Sequence, residues 1–464
     1  MSGGTSAIGG FTSSRLCGKV LDMALSDQDR QLLKDLYRQC DPNEPLQPDD
    51  PRYEPIYAGG HCEDPVARLR THIEWAGAES LQLFSGFQGS GKTTELYRLR
   101  GDLKTNGAAV LYADALEYLN PSEPLDISDL LLVLAGAFSD SLKKDHQIDF
   151  GRDSWWARAT NYLTTTSVEV QEVQAGLKAG IDIKLALKES STFRQKLRAF
   201  LETRVGELKK EVGKFIGDGV KALRAKHQEN APVVLIFDQL ERINGSASNE
   251  NEVIASVERI FAGHLKTLQL PLIHAVYTVP PWLPMVLPGV DIELLPSLRL
   301  WKHHGDLTRD ELVWKAARKL ITLRLRKEGF ARLFGSRPSL ADDLIEASGG
   351  HFRDLLRLLR EVLVRIQTQT QTLPASKHVF EAAIQRLREQ YLPLSDEDAK
   401  RLSLIEKTGD CVRQDSGPAE VSRISRLLND HLVLYFSNGG DWYDIHPLIR
   451  EEVKRIVRRL NVKE

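Results

Sequence analysis

The stretch Leu81–Thr94, LQLFSGFQGSGKTT, decides the fold of this chain. A short apolar run passes directly into Gly86-x-x-x-x-Gly91-Lys92-Thr93, and leucines at helical spacing follow it. Strand, glycine-rich loop and helix in this order are the context that a phosphate-binding loop requires. Glycines leave room for successive backbone N–H groups to converge on phosphate oxygens, at the positive end of the following helix. The sequence therefore predicts a nucleoside triphosphate site.

Individual residues of this loop are expected to contact different parts of the bound nucleotide. Lys92 is expected to reach the β- and γ-phosphates, and the Thr93 hydroxyl is expected to ligate Mg²⁺. ATP or ADP with Mg²⁺ is the predicted cofactor. The predicted nucleotide-binding residues are Gly86, Phe87, Gln88, Gly89, Ser90, Gly91, Lys92, Thr93 and Thr94.

The composition is that of an ordinary soluble protein. The chain has 464 residues, a net charge of −2 and four scattered cysteines, and no C-x-x-C pair occurs in it. A net charge near zero gives no overall positive potential that would attract nucleic acid. The cysteine spacing argues against a zinc site or a disulfide framework. No apolar stretch is long enough to span a membrane, and the N-terminus does not read as a signal peptide. We expect a cytoplasmic protein without membrane contact.

A second motif lies at Pro232–Asp238, PVVLIFD. A continuous apolar run of this length is typical of a central parallel strand covered on both faces. An acid at the carboxyl end of such a strand lies where ligands bind, so Asp238 is the expected carboxylate for Mg²⁺, together with Thr93. Glu241, three residues later, is expected to orient or deprotonate the attacking water. A strand-terminal Asp that only caps the next turn is the alternative.

Further apolar runs complete the predicted core. Ala108–Ala113, Pro271–Val279 and Val290–Leu298 read as strands, and Asp126–Ala137 reads as a buried helix. Five strands with helical connections predict an α/β fold with a doubly wound parallel sheet. Thr278, at the end of its strand, is a candidate to contact the γ-phosphate or the water. Arg52–Tyr57, before the loop, is a candidate to contact the base.

The chain divides into four predicted parts. Residues 1–50 form an N-terminal arm, in which Gly- and Ser-rich Met1–Ser14 is expected to be mobile and a helix capped by Ser26 to dock. Residues 51–298 form the nucleotide-binding core, with an insertion at about 140–230. Residues 299–394 form a helical lid, and residues 395–464 a winged-helix domain.

The insertion is the hardest part to interpret. Alternating apolar residues over Val168–Leu187 predict a β-hairpin. Ser191–His227 predicts a long amphipathic helix, broken near Gly213 and Gly217.

The C-terminal third is predicted to be helical apart from one hairpin. Ser348-Gly349-Gly350 ends one helix and His351–Gln367 forms the next. Two alternating runs joined across Asn438-Gly439 predict the hairpin. Over 299–360 the lid has fourteen Lys/Arg against eight Asp/Glu, whereas 400–464 has twelve against ten. The positive surplus over 299–360 is typical of a solvated face or of a surface that contacts phosphates. The charges over 400–464 are too balanced to predict DNA binding.

Together, GFQGSGKTT, VVLIFDQLER and GGHFRD resemble the AAA+ class of ATPases, within it the STAND and origin-recognition-like branches. The resemblance spans about residues 52–460. It implies that Gly86–Thr94 is Walker A, that Asp238 is the Walker B acid, that Thr278 is the first sensor, and that Arg353 reaches the γ-phosphate from the lid as the second sensor. It also implies a trans-acting arginine at a subunit interface, for which Arg299 and Arg242 are candidates.

One departure from the AAA+ pattern is Gln239, because motors of this class have a glutamate directly after the Walker B acid. Glu241 instead matches the later acid of STAND proteins, which act as slow switches that assemble in the ATP state. The resemblance thus implies a homo-oligomer in the ATP state, a separate effector protein, and a place in prokaryotic defence against phage. ATP is favoured over GTP because no N-K-x-D motif occurs.

Three functions are compatible with these residues. The first, which we favour, is a slow Mg-dependent ATPase switch that controls oligomerisation or a partner effector. The second is a DNA-binding initiator or loader of the origin-recognition type, whose lid and winged helix grip a duplex. The third is a nucleotide-binding interaction module that does not hydrolyse. Lys92, Asp238, Glu241, Thr278 and Arg353 are the expected catalytic residues of the first two.

Overall fold

A computed structural model describes residues 25–58, 63–165, 182–246, 248–305, 308–411, 418–437 and 440–462. The expectation of mobility for Met1–Ser14 lies outside these residues. Within them, no helix combines the length and the apolar character needed to cross a bilayer.

The centre of the molecule is a five-stranded parallel sheet. Its strands are β1 Ser80–Gly86, β2 Ala109–Asp114, β3 Val233–Asp238, β4 His274–Val279 and β5 Ile292–Leu295, in the order β2-β3-β4-β1-β5. Every residue of β3 and β4 is buried. Such continuous apolar runs are stable because helices cover both faces of a parallel sheet. The predicted α/β fold with a doubly wound parallel sheet is confirmed.

Helices connect the strands, and the longest connection runs from β2 to β3. The core helices are Pro65–Trp75, Lys92–Thr105, Ile127–His146, Trp155–Thr165, Ile183–Glu189, Ser191–Leu201, Val205–Lys226, Glu250–Gly263, Leu265–Leu268 and Leu283–Val286. The N-cap of helix Ile127–His146 is Asp126, whose side chain accepts a hydrogen bond from the Ser128 backbone. The helix is buried along most of its length, which makes it a second central element beside the sheet.

Two predictions for the insertion need correction. The second half of the predicted hairpin is helical at Ile183–Glu189, because Asp182 caps a helical turn there by accepting from the Lys184 and Leu185 backbones. The rest of that hairpin, 166–181, lies outside the described residues. Farther on, the helix is interrupted at 202–204 and runs without a break past Gly213 and Gly217.

Glycine serves close packing in this helix. A Cβ built on Gly219 would lie 2.4 Å from the Phe138 ring, so the absence of a side chain lets helix Val205–Lys226 approach helix Ile127–His146. Burial of both helices outweighs the low helix propensity of glycine.

The N-terminal helix Asp27–Gln39 docks on the lid. Its predicted cap is present, since the Ser26 hydroxyl accepts from the Asp29 backbone and the Asp29 carboxylate accepts in return. Leu33 and Leu36 are buried in the hydrophobic cluster of the lid helices. The lid helices are Glu311–Phe334, Ser339–Ala347, Phe352–Arg365 and Lys377–Glu389.

The C-terminal part contains helices Asp396–Thr408 and Pro418–Asn429, the antiparallel hairpin β6 Val433–Ser437 and β7 Asp441–Ile445, and helix Arg450–Asn461. This order of two helices, hairpin and helix matches the expectation. The predicted turn Asn438-Gly439 lies outside the described residues. The winged-helix assignment and the four domain limits remain predictions.

Candidate functional site

The predicted phosphate loop lies between β1 and helix Lys92–Thr105 at the carboxyl edge of the sheet. Gly89 and Gly91 have φ of +90° and +95°, which a residue with a Cβ adopts only under strain. Among the described residues, no side chain caps the helix at Gly91. Its first backbone N–H groups are therefore left for an anion, as the phosphate-loop prediction requires.

Lys92 is folded back into this loop. Its Nζ donates to the carbonyl oxygens of Gly86 and Phe87 at 2.8 and 3.0 Å, and it lies 3.0 Å from Glu241 Oε1. The side chains of Lys92 and Glu241 are both almost fully buried. The other Glu241 oxygen, Oε2, is buried without a hydrogen-bond partner in the described part of the chain. The two predicted catalytic groups thus meet directly.

Thr93 and Asp238 also meet, although they are far apart in the sequence. The Thr93 hydroxyl donates to Asp238 Oδ2 at 2.8 Å, and the Tyr112 hydroxyl donates to the same oxygen at 2.7 Å. Complete burial raises the pKa of Asp238 to about 6, and the neighbouring Glu241 adds to this effect.

A hydroxyl and a carboxylate fit Mg²⁺, which prefers oxygen ligands and takes the remainder from water and substrate phosphates. Among the described residues no cluster of three or more His, Cys, Asp or Glu is arranged to hold a metal. Thr93 and Asp238 are the groups present that would hold such an ion.

The loop opens into a cavity of about 740 Å³. This volume lies within the range of about 300–1,000 Å³ that is usual for small-molecule sites. Loop residues Gln88–Thr94 line the cavity, and residues of Arg52–Tyr57 line it as well. A contact between Arg52–Tyr57 and the nucleotide base, as predicted, requires this position. Arg52 itself is engaged by Glu44 and Asp50.

Two predicted site residues have other bonds in this structure. The Thr278 hydroxyl is fully buried and accepts from the Leu240 backbone at 3.0 Å, so it fixes the turn that carries Glu241. The Thr94 hydroxyl accepts from the Leu46 backbone at 3.1 Å, which ties the N-terminal arm to the loop. The assignment of Thr278 to a direct γ-phosphate contact gains no support from this placement.

Arg353 approaches the loop from the lid. Its backbone N–H donates to the Gly89 carbonyl at 3.2 Å, and a Cβ built on Gly89 would lie 2.5 Å from the Arg353 Cβ. Burial, reinforced by nearby Arg242, lowers the pKa of the Arg353 guanidinium below its ordinary value. Its Nε is buried without a partner in the described part of the chain. A phosphate in the cavity would satisfy this cation.

The two candidates for the trans-acting arginine have different surroundings in this structure. Arg299 is buried in an ion pair with Asp310. Arg242 lines the cavity of its own chain. Arg299 would have to break a buried ion pair to reach another subunit, which argues against that assignment.

Sequence reasoning missed a buried cluster behind the loop, centred on Asp354. Its carboxylate accepts from the Tyr391 hydroxyl at 2.6 Å and contacts His351 Nδ1 at 2.8 Å and His446 Nε2 at 3.4 Å. Burial would raise the pKa of Asp354, but these histidines hold it well below its ordinary value. His351 Nε2 lies 3.0 Å from the Gln88 carbonyl.

This cluster joins the phosphate loop, the lid and the C-terminal part in one set of buried contacts. Its only sequence signal is the polar pair within GGHFRD, since His446 lies 92 positions after Asp354. Asp114 was missed as well, although AAVLYAD ends in an acid in the same way as PVVLIFD.

Comparisons with known proteins give distant likenesses only. No protein-family model matches the chain, and no curated protein matches it. Among solved structures, the Aeropyrum pernix ORC1 protein in complex with DNA is 15% identical, covering 89% of this chain and 96% of that one, with a TM-score of 0.35. The Aeropyrum pernix ORC2 protein in its ADP form is 12% identical, covering 91% and 97%, with a TM-score of 0.41. The Walker-type ATPase PABY2304 of Pyrococcus abyssi is 12% identical, covering 85% and 95%, with a TM-score of 0.37.

These scores carry no argument about function. The expected place in prokaryotic defence therefore stays a prediction.

Proposed function

We propose that this protein binds ATP and ADP with Mg²⁺ at the loop Gly86–Thr94 and hydrolyses ATP slowly. The observation that carries the proposal is the convergence of four side chains beside the cavity. Lys92 meets Glu241, and Thr93 meets Asp238, although Thr93 and Asp238 are 145 residues apart in the sequence. A chance glycine-rich turn gives no reason for this convergence.

Each group has a distinct role in the proposed reaction. The free N–H groups at the start of helix Lys92–Thr105 hold the phosphates, and Lys92 exchanges its loop carbonyls for phosphate oxygens. Thr93 and Asp238 hold Mg²⁺, which when bound offsets charge on the phosphates. Glu241 accepts a proton from the attacking water. Arg353 supplies positive charge from the lid.

We further propose that nucleotide state sets the position of the lid and of the C-terminal part. Arg353 and His351 contact the loop at Gly89 and Gln88, and Asp354 links them to His446. A phosphate that draws Arg353 into the cavity must alter these contacts. The consequence would be control of self-assembly or of a partner protein.

DNA loading is the alternative function. Origin-recognition proteins, one of them in complex with DNA, are among the similar structures, so their names agree with this alternative better than with a switch. Some of the basic residues of the lid, in contrast, form ion pairs within the chain. Asp29 and Asp41 of the N-terminal arm pair with Arg332 and Arg360 of the lid, and Glu54, just after the arm, pairs with Lys319.

The test is equilibrium binding of ATP and ADP with Mg²⁺, followed by phosphate release. Lys92→Ala should abolish binding, whereas Lys104→Ala, on the exposed end of the same helix, should leave it unchanged. Glu241→Gln should retain binding and lose turnover. Normal affinity in Lys92→Ala would overturn the site.

DNA binding is measured in the same preparations by gel shift at several salt concentrations. Affinity that requires ATP and falls steeply with salt would replace the switch by the loader. Its absence with ATP present supports the switch.

A further inference from the structure

Gln239 occupies a special position beside the proposed reaction site. It directly follows β3 and has a left-handed backbone with φ of 67°, which is uncommon for a residue with a side chain. Its side chain lines the cavity together with Lys92 and Glu241. A strained backbone that the surrounding structure maintains beside a ligand cavity is a reason to examine the residue for a function.

Asp114 fixes the Gln239 side chain. The ends of β2 and β3 lie side by side, with Asp114 opposite Asp238 in the strand register. The Gln239 amide nitrogen donates to Asp114 Oδ2, while Asp114 Oδ1 accepts from the Leu116 backbone at 2.8 Å. Both oxygens of the carboxylate are thus used to hold neighbouring groups.

The hydrogen bond to Asp114 fixes the orientation of the Gln239 amide. Because the amide nitrogen is committed to Asp114, the amide oxygen is the end that remains to accept a hydrogen bond from water. Glutamine has this task in other nucleotide hydrolases, where it orients the attacking water and takes no proton.

We propose that Gln239 orients the attacking water through its amide oxygen, and that Asp114 is the positioning residue that fixes the amide. This inference rests on the proposed ATP hydrolysis. The water oxygen bonds to the γ-phosphorus, the bond from that phosphorus to the β–γ bridging oxygen breaks, and ADP leaves with that oxygen. The proton that the water loses goes to Glu241, and Gln239 remains neutral throughout.

The kinetic test uses Asp114→Asn, which presents an N–H group to the Gln239 amide nitrogen and turns the amide around. The turnover number should fall at least about tenfold, the scale of a lost positioning contact, while the Kd for ATP stays unchanged. Gln239→Ala should lower turnover equally, and the double variant should fall no further. Glu229→Gln is the control, because Glu229 is an exposed carboxylate that is not among the residues lining this cavity.

A rescue variant separates positioning from mere structure. Combining Asp114→Asn with Gln239→Glu restores a hydrogen bond between the two positions with donor and acceptor exchanged. Turnover should recover relative to Asp114→Asn alone. Failure to recover would overturn the positioning role.

A second readout needs no nucleotide. The urea midpoints of Asp114→Ala, Gln239→Ala and the double variant should be non-additive, since the two side chains bond each other. Additive midpoints, or unchanged turnover in Asp114→Asn, would overturn this inference and leave the proposed function standing. If the unmodified protein showed no ATP turnover, both the proposed hydrolysis and this inference would be overturned. The proposed ATP binding is tested separately, by equilibrium binding.

Discussion

Gly89→Ala tests the contact between the lid and the phosphate loop. Gly89 has φ of +90°, and a Cβ added there would lie 2.5 Å from the Arg353 Cβ and 2.8 Å from its Nε. Gly107 is a matched control, because its φ is +86° and no atom of the described residues lies within 4 Å of an added Cβ. Both variants strain the backbone alike, and only the first also pushes on the lid.

The expected magnitudes follow from these two terms. The left-handed backbone costs alanine about 1–2 kcal/mol at either position. The collision with Arg353 adds about 1–3 kcal/mol at Gly89, as overpacking does in well-packed sites. Gly89→Ala should therefore lose about 2–5 kcal/mol of unfolding free energy, and Gly107→Ala only the first part.

The assay is urea unfolding of both variants, with amide hydrogen exchange over helix Phe352–Arg365. Faster exchange in that helix should accompany Gly89→Ala and be absent from Gly107→Ala. Adding Arg353→Gly to Gly89→Ala removes the Cβ that would collide and should recover part of the loss. Equal losses for the two alanine variants would refute the reasoning, since the lid would then not rest on Gly89 in solution.

Three further predictions concern buried polar groups and the lid cation. Burial lowers the pKa of both His431 and His446 in the folded protein. The free energy of unfolding should therefore be highest above pH 6.5, the ordinary pKa of histidine, and should fall as the pH is lowered. Each histidine should contribute a loss of up to about 1.4 kcal/mol per pH unit. Urea midpoints at pH 7.5 and 5.5 check this, and His431→Asn, which suits the positive φ there, should flatten the profile. Tyr112→Phe removes a hydrogen bond to the buried Asp238 carboxylate and should cost about 1.5–3 kcal/mol of unfolding free energy, measured by the same method. Arg353→Ala should weaken ATP at least about tenfold and ADP much less, because the guanidinium acts on the γ-phosphate, and calorimetry with both nucleotides checks it.

The central sheet and the loop were predictable because their signals are local. Each buried strand is a continuous apolar run, and the glycine pattern with Lys92 and Thr93 fixes the loop within one short segment. The meeting of Thr93 with Asp238 followed from parallel strands ending at one edge.

The parts that were missed depend on tertiary contacts. Ile183–Glu189 has the alternation of a strand, but a capping Asp182 and burial of one helical face make it helical. Gly213 and Gly217 do not break their helix, because that helix is buried against its neighbour. The bond from Thr278 to the Leu240 backbone and the link from Asp354 to His446 have no local signal.

A crystal structure of the protein with Mg²⁺ and a non-hydrolysable ATP analogue tests the central claim most directly. The decisive measurement is the surroundings of Lys92 Nζ, which lies 3.0 Å from Glu241 Oε1 in the structure described above. The account predicts that Nζ leaves Glu241 for phosphate oxygens, with the phosphates within about 3.2 Å of backbone nitrogens of Gly89–Thr93. A nucleotide bound elsewhere, with the pair between Lys92 and Glu241 intact, would contradict it.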